Sequence, residues 1–161
     1  MRRFFVTWMC AILLSMQATS GAVPGAANAF EVFKSFAGRW SIQADGKTLT
    51  TEMLYDVGSK GSIVTEQFGK ELSVFYVNDQ HLSMTHYCNA GNQPRLRLKQ
   101  GSRAELFEFE MFDITSSSGD PAEPHVQKII YKPVDDKHLD LEIIWQKGTL
   151  EESEKYVLTR I

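Results

Sequence analysis

Apolar and polar residues alternate with a period of two along most of this chain, and the alternation is broken at short intervals by Gly, Asn, Asp or Pro. That pattern predicts half-buried β-strands joined by turns. Trp40, Ile42 and Ala44 share one face of a first strand, and Asp45-Gly46 is a strong hairpin signal leading into a second at 48–56. Further strands are predicted at 62–68, 71–77, 81–88, 95–99, 105–114, 126–132, 139–147 and 151–160. Pro94 stands at the start of one of them, where its missing N–H is tolerated. Short links between successive strands imply antiparallel neighbours. A meander of about ten such strands leaves two unpaired edges unless it closes, so the predicted fold is all-β, an antiparallel up-and-down β-barrel. The exception to the short links is the Ser, Gly and Pro-rich segment 115–124, expected to be a surface loop. Ahead of the first strand, Phe30, Phe33 and Phe36 recur at helical spacing and Gly38 follows, which predicts a short helical turn.

The first 29 residues are of another kind. Arg2 and Arg3 precede an apolar run at 4–16, and a small-residue segment ends in Ala27-Asn28-Ala29. This is the form of a secretory signal peptide with cleavage expected after Ala29, leaving one domain at 30–161 in a secreted or periplasmic location. The apolar run is shorter than the roughly 18 to 20 residues that span a bilayer, so no integral membrane segment is expected after cleavage. Losing Arg2 and Arg3 lowers the basic count from 17 to 15 against 20 acids, so the formal net charge moves from −3 to −5. No basic stripe remains for phosphate binding, and nucleic acid is not an expected partner. Cys10 goes with the leader, which leaves Cys88 without an intramolecular disulfide partner. A lipid-facing barrel would alternate in the same way, but tight turns at both ends and the lack of an aromatic girdle favour a barrel with its apolar face inside.

The least generic stretch is Thr85-His86-Tyr87-Cys88-Asn89-Ala90-Gly91-Asn92-Gln93-Pro94-Arg95. On the predicted fifth strand Leu82, Met84, His86 and Cys88 share the more apolar face, so His86 and Cys88 are expected to point into the barrel, roughly 6 to 7 Å apart. Glu66, between Val64 and Phe68 on a common face, is the candidate partner for a ring nitrogen of His86. In one reading these are satisfied core residues, with Asn92 and Gln93 serving the turn. In the other, Glu66, His86 and Cys88 form the polar end of a ligand cavity, with Asn92 and Arg95 near its mouth. Arg95 binds a ligand carboxylate only if the turn swings it over the barrel; otherwise it is solvated beside Arg97. A Cys and His pair is also the raw material of a thiolate nucleophile, although alternate positions on one strand point in parallel rather than converge. For a metal, His86 and Cys88 supply two ligands where structural zinc usually takes four, and His81, His125 and His138 are expected at solvated strand ends.

Phe36-Ala37-Gly38-Arg39-Trp40, a helical turn running into a Gly-x-Trp first strand, resembles the start of lipocalins and related calycin barrels. Thr85-His86-Tyr87-Cys88 with Gly91-Asn92-Gln93-Pro94-Arg95 resembles the signature of a group of uncharacterised bacterial lipocalin-like proteins. The resemblance implies a closed barrel whose cavity holds one small apolar molecule, with Trp40 plugging the floor. Haem-binding barrels of the nitrobindin type carry Gly-x-Trp-x-Gly-x-Gly, whereas here Ser41-Ile42-Gln43-Ala44 follows Trp40 and the later glycines are absent. The residues therefore specify no cofactor. The expected function is an exported carrier or sensor of a small apolar molecule, without catalysis. The alternatives are a small hydrolase or isomerase using Cys88 and His86, and a structural or protein-interaction module.

Overall fold

The computed structural model describes residues 25–102, 105–116, 118 and 123–161. The expected leader up to residue 24, with Cys10, lies outside the described residues, as does part of the expected loop at 115–124. Among the described residues one α-helix, α1 (Ala26–Ser35), precedes ten strands: β1 (Gly38–Ala44), β2 (Lys47–Gly58), β3 (Ile63–Phe68), β4 (Glu71–Asn78), β5 (His81–Tyr87), β6 (Gln93–Leu98), β7 (Phe107–Thr115), β8 (His125–Pro133), β9 (His138–Lys147) and β10 (Leu150–Arg160). Each strand pairs antiparallel with the next, and β10 returns to β1 with Trp40 opposite Arg160 and Ile42 opposite Leu158. The barrel is closed, as the alternation predicts, and no sheet edge is left to attract another chain.

Tight turns make this closure possible. Asp45 and Gly46 both have positive φ, 50° and 72°, the backbone that matches the right-handed twist of a hairpin's strands. Along the strands the large apolar side chains turn inward: Trp40, Tyr55, Phe75, Phe107, Phe109 and Tyr131 are all fully buried. The charges turn outward, where Arg39 pairs with Glu52 at 2.7 Å and Lys99 and Lys128 straddle Glu108 and Glu110. This is the reverse of a lipid-facing wall. No helix among the described residues is long and apolar enough to cross a membrane.

The helix is longer than the single turn predicted from Phe30. It starts at Ala26, in residues read from the sequence as part of the leader, so the expected cleavage point after the buried Ala29 falls within it. Its apolar face closes one end of the barrel. Phe33 enters the lumen and packs against Phe75 at 4.6 Å, Tyr131 at 5.1 Å, and Phe107 and Phe109 at 5.5 Å between ring centroids, mostly edge to face. Trp40 takes the floor beside it, with its Nε1–H donating to the Phe36 carbonyl at 2.8 Å. Arg160 locks the arrangement from the last strand. Its guanidinium lies 4.3 Å from the Trp40 ring centre and donates to the Ser35 and Ala37 carbonyls, both at 2.7 Å, satisfying acceptors that the helix end leaves open.

With α1 at one end, the turns β1–β2, β3–β4, β5–β6 and β9–β10 lie at the other, the open end, which no helix covers among the described residues. If Phe33 is the plug of the closed end, Phe33→Ala should cost about 3 to 5 kcal/mol in urea unfolding, and Phe33→Leu clearly less. A loss below about 1 kcal/mol for the alanine variant would mean that the helix does not hold the barrel shut.

Candidate functional site

Across the largely apolar interior a row of polar side chains runs over four adjacent strands. Tyr55 on β2 stands opposite Glu66 on β3, Glu66 opposite Ser73 on β4, and Ser73 opposite His86 on β5. Each step is a direct cross-strand pair, so the side chains meet without any loop bending to bring them there. Glu66 is buried and accepts from Tyr55 Oη at 2.7 Å and Ser73 Oγ at 3.0 Å. A third donor comes from the opposite wall, where Tyr131 on β8 reaches across the lumen to the same carboxylate at 2.9 Å. Burial raises the pKa of Glu66, while the three hydroxyl donors pull it the other way. The same carboxylate adds to burial in holding both tyrosines well above their ordinary range.

His86 ends the row. Its Nδ1 lies 3.0 Å from Ser73 Oγ. The serine has one proton, and with that proton on Glu66 the nitrogen must be the donor, so Nδ1 carries the imidazole hydrogen and Nε2 keeps its lone pair. Nε2 is buried and has no hydrogen-bond partner among the described residues. Burial lowers the His86 pKa, which favours this neutral ring. Contrary to the expectation from the sequence, Glu66 is not bonded to His86 directly; Ser73 stands between them and takes the Nδ1 contact.

One step nearer the open end, Glu71 begins β4 beside the turn that follows β5. Strand β5 stops at Tyr87, not at Cys88 as the alternation predicts, and the Cys88 N–H closes the turn onto the Asn92 carbonyl at 3.1 Å. The departure moves Cys88 out of parallel with His86. A ring nitrogen of His86, the Cys88 sulfur and a Glu71 carboxylate oxygen lie within 4.8 Å of one another, closer than a regular strand allows. Cys88 Sγ donates to Glu71 Oε1 at 3.7 Å, the Asn89 N–H to the same oxygen at 3.1 Å, and the Ala90 N–H to Sγ at 3.3 Å. Among the described residues, these three are the group placed to hold a metal ion.

The remaining sequence candidates lie apart from the row. Asn92 is fully buried, but its Nδ2 donates to the Pro124 carbonyl at 2.8 Å and ties the β5–β6 turn to the entry of β8. Arg95 does not swing over the mouth. Leu96 faces the core, so Arg95 points outward and binds Asp113 and Thr115. His125, expected to be solvated, is buried with Nδ1 against the Glu123 carbonyl at 2.8 Å. Tyr55, Ser73, Glu71 and Tyr131 were not singled out by their sequence context. For Ser73 a signal exists, a polar residue on the same face as Phe75 and Val77.

Below the row the lumen is filled by Phe33 and the rings around it. Above it, Leu49, Phe68, Met111, Trp145 and Tyr156 pack against the core from the open half and remain partly exposed. Register places Trp145 and Tyr156 on the inward face with Leu141 and Leu158, and Phe68 on that of Glu66. Phe68 and Tyr156 meet edge to face at 5.5 Å, and Glu154 accepts from the Tyr156 hydroxyl at 2.8 Å and Trp145 Nε1 at 3.3 Å. Concavities of about 500, 500 and 470 Å³ also lie along the β6–β7 turn, beside the start of α1 and on the β8 to β10 wall. None of these three is lined by a residue of the row.

The raised pKa of Glu66 has a sign that can be measured. The folded protein holds this proton more tightly than the unfolded chain, whose value is 4.5, so the stability it contributes is complete below 4.5 and is lost as pH rises through the folded value. Glu66→Gln, which keeps an acceptor for the tyrosines, should flatten that decline in urea midpoints measured across pH with a chelator present. Parallel profiles for the two proteins would contradict the assignment.

No family model matches the chain and no curated protein matches its sequence, so its function rests on the chemistry of the row and the half-barrel above it.

Proposed function

We propose that the protein is an exported binder of one small, largely apolar molecule, a carrier or sensor without catalysis, and that the molecule sits in the open half of the barrel. The observation that carries this reading is the partial exposure of inward-facing apolar side chains. Phe68, Met111 and Trp145 occupy lumen positions yet are not sealed from water, which is the kind of apolar lining a small ligand is bound by. A few polar groups at its base are the second part of such a site. The Nε2 of His86 has no hydrogen-bond partner among the described residues, and a ligand donor there would relieve a buried lone pair. The filled closed half limits the ligand to the upper lumen, so the molecule is smaller than an empty ten-strand barrel would take.

The thiol chemistry argues against the hydrolase alternative. Burial pushes the Cys88 pKa up, the Ala90 N–H opposes this, and the Glu71 carboxylate beside the sulfur raises it again. A nucleophilic cysteine needs the opposite, a cation or an adjacent base that favours the thiolate. In metal-free protein near neutral pH, alkylation of Cys88 by iodoacetamide should therefore be slow and should accelerate on unfolding. Alkylation of the native protein faster than that of the unfolded chain would restore the enzyme reading.

For the ligand itself, native mass spectrometry of protein isolated from its own compartment should show one small adduct per chain. Phe68→Ala and Trp145→Ala should each reduce its retention by about 10- to 100-fold, since truncating a large apolar contact costs about 1.5 to 3 kcal/mol and about 1.4 kcal/mol is tenfold in affinity. Adduct-free protein in repeated preparations, or retention unaffected by both substitutions, would contradict the proposal.

A further inference from the structure

We propose that Glu71, His86 and Cys88 form a binding site for a single divalent transition-metal ion of the zinc class, at the open end of the barrel. A ring nitrogen of His86, the Cys88 sulfur and a Glu71 carboxylate oxygen already lie within 4.8 Å of one another. A tetrahedral zinc ion with bonds of about 2.0 to 2.3 Å needs its ligand atoms about 3.3 to 3.8 Å apart, so the cluster has to close by only about 1 Å. Glu71 and Cys88 are both partly exposed at the rim and have the room to do so.

What separates this cluster from a chance meeting of polar residues is that each ligand is oriented by another group and still has an electron pair to give. The Asn89 N–H holds Glu71, and the Ala90 N–H points at the Cys88 sulfur, an interaction that favours the thiolate a metal requires. His86 is held through Nδ1 by Ser73, and Ser73 by the Glu66 carboxylate. Metal-bound histidines are commonly fixed in this way, through a chain from the other ring nitrogen to a carboxylate. The nitrogen left over, Nε2, is buried, carries the lone pair and has no partner among the described residues.

The donor set also selects the metal. One nitrogen, one sulfur and one carboxylate oxygen suit zinc, cobalt or a neighbour in that series, while magnesium and calcium prefer oxygen alone. Three protein ligands leave a fourth position open toward the lumen. Binding converts the Cys88 thiol to thiolate and releases its proton to solvent, so no oxidant or reductant is involved. The inference does not depend on the organic ligand proposed above, because either can bind with the other absent.

Full-length, tag-free protein, kept reduced with a phosphine and stripped with a chelator, is titrated with zinc in a calorimeter and with cobalt in a spectrophotometer. One equivalent of cobalt should produce a near-ultraviolet thiolate-to-metal band together with visible bands of tetrahedral intensity. Cys88→Ser should abolish the near-ultraviolet band, and Glu71→Gln should weaken zinc binding; both lie at the rim, so both proteins should fold, with unchanged circular dichroism. Ser73→Ala, which removes the group that positions His86 together with one of the three donors to Glu66, should weaken zinc by about 10- to 100-fold while leaving the circular dichroism unchanged and the cobalt spectrum of the loaded protein the same in kind. Absence of saturable one-to-one binding would overturn the proposal, as would a site that binds equally well in Cys88→Ser and Glu71→Gln.

Discussion

A carboxylate in the middle of an apolar lumen is the constraint to which the rest of this structure answers. Glu66 has no counter-charge bonded to it; Tyr55, Tyr131 and Ser73 hydroxyls take the place of water around it. Taking a charge out of water costs several kcal/mol unless its lone pairs are met, and hydrogen bonds to an ionised acceptor return about 1.5 to 3 kcal/mol each. Three donors therefore leave the group near balance, not strongly stabilising. Their value lies in specificity. Tyr131 is on β8 and Glu66 on β3, five strands apart in a ring of ten, so this hydrogen bond fixes opposite walls at one separation and one register.

That strut divides the barrel into two halves with different properties. On the side of α1 the lumen is packed by Phe33 and its ring of aromatic partners, and Arg160 ties the helix to the last strand. On the other side the polar row faces a cup of half-exposed apolar residues, and the row ends in a histidine nitrogen with no partner. The closed half supplies rigidity, and the open half carries the His86 nitrogen that is unpartnered among the described residues. A rigid floor under a few converging polar groups is what allows a site to discriminate among small ligands.

The closed ten-strand meander was legible in the alternation and the turn residues, because both report directly on the backbone. So, in principle, was most of the row. A two-residue turn places residues equidistant from it opposite each other, so Gly69-Lys70 sets Glu66 against Ser73, and Asp79-Gln80 sets Ser73 against His86. Ser73 was passed over because a lone serine in a strand carries no chemistry until its neighbours are known. Tyr131 was out of reach, since nothing local to β8 tells which residue of the far wall it will meet. Glu71 and Cys88 were missed as a pair because strict alternation kept Cys88 in the strand, where the structure ends β5 one residue earlier and turns the sulfur toward β4. Arg95 shows the converse. A cation in a distinctive motif drew attention, yet its position beside the inward Leu96 already put it on the outer wall.

The central claim is that this row sets the protonation of His86, with Nδ1–H directed to Ser73 and Nε2 left as a lone pair. Long-range proton–nitrogen correlation spectra of the imidazole ring in metal-free protein, recorded on the alkaline side of neutrality, report the tautomer directly. The account predicts a proton on Nδ1 and an unprotonated Nε2. A ring protonated on Nε2, with the bare nitrogen facing Ser73, would reverse the direction of the row and contradict it.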